Sequence, residues 1–171
     1  GGLDEGMYGT CAGGTGAYID QMATLLDLTI EEMDELSLRH TRIYPIASRC
    51  GVFAKTDIQP LLNQGAAKEN IAASIYAAVA SQTIAGLAQG RRIGGKVMFL
   101  GGPLYYCQGL RAAFREALKL DDEHALFPEY GRLSVALGAA LYAARQDWET
   151  DMDALLADVE ESCRSMPTTA H

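Results

Sequence analysis

Two cysteines each come just before a predicted helix, and glycine marks the beginning of both helices. Cys11 precedes the glycine-rich run 13–16, and Cys50 precedes Gly51. Free N–H groups and the positive end of a helix dipole favour an anion, so they lower the pKa of a thiol and would stabilise an anionic metal–sulfide cluster. Two thiolates leave a four-thiolate site incomplete, and a symmetric dimer would supply the other pair. Residue chemistry alone favours the alternative that both cysteines are structural.

A second glycine pair, Gly101-Gly102, follows the clearest predicted strand, residues 96–100, and precedes a predicted helix. Backbone without Cβ atoms can approach a ligand closely at the carboxyl end of a strand. An ordinary tight turn explains the same pair. Residue types alone therefore allow Gly101-Gly102 to be either a ligand contact or an ordinary turn.

Several common enzyme signatures do not occur. The run 13–16 is not followed by Gly-Lys-Ser/Thr, and Ile19 occupies the place of the third glycine of a dinucleotide-binding motif. The histidines at 40, 124 and 171 show no zinc-ligand spacing with each other or with the cysteines. The chain also has no Gly-x-Ser-x-Gly elbow.

Length, charge and cysteine usage narrow the class of protein. At 171 residues and 49% hydrophobic, the chain is long enough for one well-buried core. The net charge of −8 and scattered basic residues argue against a nucleic-acid partner. We expect no membrane partner, because no apolar run approaches the roughly 20 residues that a membrane span needs. Four widely spaced cysteines without a signal peptide favour a reducing, cytoplasmic setting.

Hydrophobic periodicity predicts many helices and few strands. A Thr29/Glu32 pair has capping-box spacing, and Gly65 is placed to end the helix that begins after Cys50. Residues 43–47 could be extended, although Pro45 would restrict them to an edge. The predicted helices cover residues 16–26, 29 onward, 51–62, 68–89, 110–119, 131–145 and 147 onward, and the predicted strands cover 96–100 and 124–127.

Taken together, these segments resemble the BadF/BadG/BcrA/BcrD family, the activases of 2-hydroxyacyl-CoA dehydratases and benzoyl-CoA-type reductases. The similarity spans about residues 7–145, and the Cys-x-Gly-Gly-Thr-Gly motif with a second cysteine is quite specific. The matching stretches are residues 11–16, 18–23, 48–54, 97–102 and 136–143.

The resemblance implies a fold and a set of ligands. The expected fold is α/β, the helix-rich C-terminal part of a ribonuclease-H-like lobe of the actin/sugar kinase/Hsp70 superfamily. In the family a homodimer shares one [4Fe–4S] cluster, held by cysteines that match Cys11 and Cys50. ATP or ADP with Mg²⁺ binds the whole protein, and a low-potential electron passes to an acyl-CoA dehydratase or reductase partner. By the same resemblance, the nucleotide-facing residues are Gly14, Thr15, Gly16, Gly101 and Gly102.

Two departures refine these expectations. Pro103-Leu104-Tyr105-Tyr106-Cys107 follows the second glycine pair, which points to the large, multidomain branch of the family. The two acidic and glycine-containing phosphate motifs of the family are absent, so we expect the C-terminal lobe only and no ATP hydrolysis by this chain alone. Cys107 and Cys163 match no ligand of the family.

Two other functions stay open at this point. A sugar or N-acetylhexosamine kinase lobe has the same scaffold but gives Cys11 and Cys50 no purpose. A non-enzymatic dimerisation module would use a face of the helix over 71–88. We expect residues 1–145 to form the lobe of the ATPase domain and residues 146–171 to form a C-terminal helix with a frayed tail or linker.

Overall fold

The computed structural model describes residues 14–46, 51–146 and 151–165. Helices dominate this part of the chain, as the periodicity predicts, and two short strands lie between them. A 3₁₀ turn over Gly131–Leu133 precedes the seventh helix. The elements are α1 Gly14–Leu25, α2 Ile30–Ser37, α3 Gly51–Asn63, α4 Lys68–Ala88, β1 Val97–Met98, α5 Gly102–Tyr106, α6 Gln108–Leu118, β2 Ala125–Leu126, α7 Ser134–Arg145 and α8 Met152–Ser165.

Helix α2 begins at the predicted capping box. The Thr29 hydroxyl accepts a hydrogen bond from the Glu32 N–H (3.1 Å), and the Glu32 carboxylate accepts one from the Thr29 N–H (2.9 Å). Two N–H groups that the helix itself leaves unpaired are therefore satisfied. The helix buries Met33, Asp34 and Ser37, so its inward face carries a carboxylate and a hydroxyl as well as an apolar side chain.

Helix α4 is the central helix of the core. Its first half is buried, including Ile71, Ile75 and Tyr76, and it packs against α2 and α6. By length and composition alone the helix is apolar enough to cross a membrane, contrary to the sequence-based expectation. The first half of α4 is nevertheless typical of a core helix, because neighbouring helices cover its apolar side chains.

The two strands form a parallel pair. Val97 faces Ala125 and Met98 faces Leu126 in the register. The strands are shorter than the predicted segments 96–100 and 124–127, but hydrogen bonding continues beyond them, because the Phe99 N–H donates to the Leu126 carbonyl (2.9 Å). Parallel strands need a crossover connection, which α5 and α6 provide. Residues 42–46 form no regular element, so a strand there is not observed.

The chain divides into two compact units, Gly1–Ser134 and Val135–His171. The second unit contains most of α7 and all of α8. The N–H of Asp153 donates to the Asp151 carboxylate (2.8 Å) at the start of α8, and Arg164 pairs with Glu160 one turn away (3.6 Å). The boundary predicted at residue 145 stays a prediction.

Candidate functional site

The glycine-rich run lies at the beginning of α1. Gly14 has a positive φ of 71°, a conformation that side chains with a Cβ rarely adopt. The first turn of α1 contains no acidic residue, so its unpaired N–H groups and positive dipole end face no carboxylate of their own turn. Gly14, Thr15 and Gly16 are exposed, and they form a backbone surface suited to an anion.

The second glycine pair forms the turn after β1. Gly101 has φ 110° and ψ 158°, a region open to glycine almost alone. Its N–H donates to the Gly131 carbonyl (2.9 Å), and α5 begins at Gly102. This hydrogen bond joins the loops that follow β1 and β2, so both lie together at the carboxyl edge of the parallel pair. That edge is where α/β sheets bind ligands.

The first glycine motif lines a cleft of about 650 Å³, and so do the residues on either side of the second motif. Residues 14–17 form one wall, and Leu100 and Pro103 contribute to the other. A Cβ on Gly16 would lie 3.7 Å from the Cγ of Pro103, so the backbone of α1 closely approaches α5. Gly101 and Gly102 flank the cleft without lining it. Most of the remaining lining is apolar: Ile84, Leu87, Ile93, Val97, Met98, Phe99, Leu104, Leu110, Phe114 and Leu118.

The buried carboxylate of Asp34 holds one end of the segment from Gly101 to Gly109 in place. Asp34 is 8% exposed, and its two oxygens accept hydrogen bonds from the N–H groups of Gln108 and Gly109, each at 2.8 Å. The carboxylate therefore caps α6 from another helix. A Cβ on Gly109 would overlap the Ser37 hydroxyl and lie 3.0 Å from the Tyr76 ring. Only glycine allows α2, α4 and α6 to approach so closely at this point.

The side chains around this anchor stay protonated. Burial raises the pKa of the Tyr76 phenol, and the nearby Cys107 and Asp34 raise it further. Burial likewise raises the pKa of the Cys107 thiol. A thiol held protonated in the interior is a poor nucleophile and metal ligand. Cys107 is free and buried, as a cysteine that serves as a small apolar filler would be.

Two arginines, Arg111 and Arg132, form hydrogen bonds to the segment from Gly101 to Gly109. Arg111 donates from Nε to the Leu104 carbonyl (2.5 Å) and from Nη2 to the Tyr105 carbonyl (2.6 Å), so it satisfies carbonyls at the end of α5. Arg132 donates from Nη1 to the Tyr106 hydroxyl (3.0 Å), and its guanidinium lies 5.0 Å from the centroid of the Tyr105 ring. This hydrogen bond raises the pKa of Arg132.

Tyr105, Tyr106 and Arg132 are together called the aromatic–arginine cluster. The two rings meet edge to face, with centroids 4.9 Å apart. Sequence reasoning assigned no role to Asp34, Arg111 or Arg132, because their partners lie 74, 6–7 and 26 residues away. The unusual sequence Leu104-Tyr105-Tyr106 was the one available signal.

The predicted metal ligands Cys11 and Cys50 lie outside the described residues. The helices that follow them are described: α1 begins three residues after Cys11, and α3 begins directly after Cys50, as predicted. These two helices contact each other. Among residues 14–46, 51–146 and 151–165, no group of three or more His, Cys, Asp or Glu side chains could hold a metal ion.

A comparison with known protein families identifies the family of this chain. The model of the BadF/BadG/BcrA/BcrD ATPase family matches residues 3–143. The chain belongs to this family. Its fold is accordingly that of the actin/Hsp70-like ATPases, and the predicted fold class and family are confirmed.

Relatives within the family are dehydratase activators. The chain is 36% identical over 140 residues to the (R)-2-hydroxyglutaryl-CoA dehydratase activating ATPase of Acidaminococcus fermentans, covering 82% of this chain and 52% of that protein. It is 36% identical over 137 residues to the activator of lactoyl-CoA dehydratase of Anaerotignum propionicum, covering 80% and 51%. The chain thus spans about half the length of the curated relatives it matches.

Solved structures of the family have the same fold. Component A of the Acidaminococcus fermentans dehydratase superposes with a TM-score of 0.71 at 35% identity, over 82% of this chain and 52% of that one. The activator of the 2-hydroxyisocaproyl-CoA dehydratase from Clostridium difficile, with bound ADPNP, gives a TM-score of 0.66 at 27% identity, over 82% and 53%.

Proposed function

We propose that this chain is a lobe of an ATP-dependent activase that delivers a low-potential electron to a 2-hydroxyacyl-CoA dehydratase or a related reductase. Membership of the family and the dehydratase activators among its relatives support the activase role. The observation that carries the proposal is the cleft that the first glycine motif lines together with Leu100 and Pro103, the residues on either side of the second motif, at the carboxyl edge of the sheet.

The nucleotide is proposed to bind across this cleft. The beginning of α1 offers N–H groups to phosphate oxygens, because the residues Gly14, Thr15 and Gly16 are exposed and their turn is free of carboxylates. The Gly101 turn lets the chain pass close to the nucleoside. A relative in the family with the same fold has ADPNP bound, which supports a nucleotide as the ligand of this cleft. A complete site for Mg-ATP hydrolysis would also need the two phosphate motifs of the family, which are absent from this sequence.

The proposed metal site uses Cys11 and Cys50. A [4Fe–4S] cluster shared by a homodimer would take two thiolates from each subunit and would supply one-electron chemistry at low potential. Each cysteine precedes a helix, and these two helices contact each other. Nucleotide bound at the beginning of α1 would act on the same helix that follows Cys11. This shared helix links the two proposed sites.

Anaerobic reconstitution with iron and sulfide tests the cluster. We expect a visible absorption band and about four irons per dimer, as a [4Fe–4S] cluster requires. Cys11→Ser and Cys50→Ser should each abolish the band and reduce the dimer in light scattering. Cys163→Ser, a cysteine predicted not to be a ligand, serves as the matched control and should keep both. A wild-type protein without the band under these conditions would rule out the cluster, and both a kinase lobe and a helix-packed dimer predict no effect of the cysteine changes.

A further inference from the structure

A second pocket lies at the amino edge of the parallel pair, opposite the edge that carries the two glycine motifs. It has a volume of about 510 Å³ and lies where the loop over 89–96 enters β1 and the loop over 119–124 enters β2. Ile93 and Leu118 line both this pocket and the nucleotide cleft. The pocket therefore borders the apolar part of the cleft and has polar walls of its own. It is called the amino-edge pocket.

Two basic side chains of the amino-edge pocket have no acidic partner. Arg92 and Lys119 line the pocket, and within the described part of the chain neither side chain forms an ion pair or a hydrogen bond. The loop over 89–96 contains three basic residues and no acidic residue, in a chain whose net charge is −8. Two unpaired cations around one cavity repel each other, and an anion between them turns that repulsion into attraction.

The nearby carboxylates are already bonded to other groups. Asp121 is the acidic residue among the described residues that line the pocket. Its Oδ1 accepts hydrogen bonds from the N–H groups of Glu123 (3.1 Å) and His124 (3.0 Å), and the His124 Nδ1 lies 2.6 Å from the same oxygen. The neighbouring Asp122 pairs with Arg115. The two unpaired cations are therefore left for a ligand.

The backbone at Lys119 indicates a use for its side chain. Lys119 ends α6 with a positive φ of 54°, a conformation in which helices commonly place glycine. The helix end needs no side chain to pair its carbonyls, because the Glu116 carbonyl accepts from the Lys119 N–H (3.1 Å) and the Arg115 carbonyl accepts from the N–H of the next residue (2.9 Å). Lysine in place of glycine adds backbone strain there, and strained positions of this kind concentrate at functional sites.

The rest of the pocket suits a phosphate group on a small molecule. Gly94 and Gly95 line the pocket, and a Cβ at either position would meet nothing within 4 Å, so their backbone is open to a ligand. A phosphate group carries about two negative charges and three acceptor oxygens, which match two cations and backbone donors. The volume lies in the range of small-molecule sites, and Leu118 and Leu120 give one wall an apolar surface.

We propose that the amino-edge pocket binds the phosphate group of a small phosphorylated molecule between Arg92 and Lys119. The Gly94-Gly95 backbone adds N–H donors, and the apolar wall contacts the organic part of the ligand. The site is separate from the proposed nucleotide site and does not depend on it.

Calorimetric titration with inorganic phosphate and with phenyl phosphate, in chloride buffer at neutral pH, tests the proposal. Arg92→Ala and Lys119→Gly should each weaken binding of both probes by about tenfold or more, as loss of a hydrogen bond to a charged group does. Glycine readily adopts a φ of 54°, so Lys119→Gly removes the amine without straining the backbone. Arg39→Ala, which alters an exposed arginine after α2, removes the same charge elsewhere and should change neither dissociation constant.

The possible results support or overturn the pocket directly. Given weaker binding in both pocket variants, a preference for phenyl phosphate supports an ester as the ligand, and equal affinity for the two probes supports the free ion. Unchanged affinity in either pocket variant overturns the proposal, because the phosphate then binds elsewhere, for example at the beginning of α1. A wild type that binds neither probe, or equal weakening in Arg39→Ala, also overturns it. Thermal melting verifies that each variant is folded.

Discussion

The segment from Gly101 to Gly109 is attached to the protein in two contrasting ways. At its end, Asp34 is buried and accepts hydrogen bonds from two N–H groups, close to the buried side chains of Tyr76 and Cys107. In its middle, Arg132 contacts Tyr105 and Tyr106 at the surface. Both oxygens of Asp34 are paired within the protein, whereas the exposed attachment leaves planar faces open. The contrast indicates that the buried attachment sets the fold of the loop and that the exposed one contributes little to it.

Removal of the buried carboxylate should give the largest loss of stability. Asp34→Ala leaves the N–H groups of Gln108 and Gly109 buried without an acceptor, which we expect to lower the free energy of unfolding by about 3 kcal/mol. Asp34→Asn retains one acceptor oxygen and should lose about 1 kcal/mol. Urea denaturation at pH 7 measures both. Equal stability of Asp34→Ala and the wild type would show that water replaces the carboxylate and that the anchor is not closed.

Ionisation of Tyr76 at alkaline pH should weaken the buried attachment by a smaller amount. The pKa values of Tyr76 and Cys107 are raised in the folded state, so their stabilising contribution is complete below the unfolded values and is lost as pH rises above them. An unfolded tyrosine has a pKa of about 10, so Tyr76 alone should account for about 1.4 kcal/mol of lost stability at pH 11.

The Tyr76→Phe variant isolates this contribution. It should lose about 1.4 kcal/mol less than the wild type between pH 9 and pH 11, as measured by urea midpoints at both values. Tyr130→Phe, which alters an exposed tyrosine, should follow the wild-type curve. If Tyr76→Phe shows the full alkaline loss, the phenol is not held protonated by burial.

The exposed attachment should contribute least to stability. Arg132→Ala removes a surface hydrogen bond and a cation–π contact, so the free energy of unfolding should change by about 0.5 kcal/mol or less. Thermal melting and urea denaturation measure the change. A loss comparable to that of Asp34→Ala would erase the contrast and assign Arg132 a structural role.

The distance in sequence between contacting residues explains which features could be predicted from the sequence. The capping box at Thr29 and Glu32 was predictable because its two partners are three residues apart and its geometry is local. The helix that begins at Gly51 and the strand at Val97 followed from periodicity and flanking glycines. These local signals were enough to place the glycine motifs on the elements that carry them.

Contacts between distant residues were beyond such reasoning. Asp34 is one of four acidic residues of α2, and nothing in their order distinguishes the one that turns inward to cap a helix 74 residues later. Arg132 likewise belongs to a loop whose partner, Tyr106, follows another strand. Packing of α2, α4 and α6 creates the first contact, and the parallel pairing of β1 with β2 creates the second.

The cap on α6 also determines where a phosphate group can bind. Two N–H groups at the start of that helix are already committed to the protein's own carboxylate, whose negative charge repels a second anion. Helix α1 has no such internal counter-charge in its first turn. Asp34 therefore does more than fasten a loop: it occupies the positive end of α6, whereas the first turn of α1 carries no carboxylate of its own that would repel an anion.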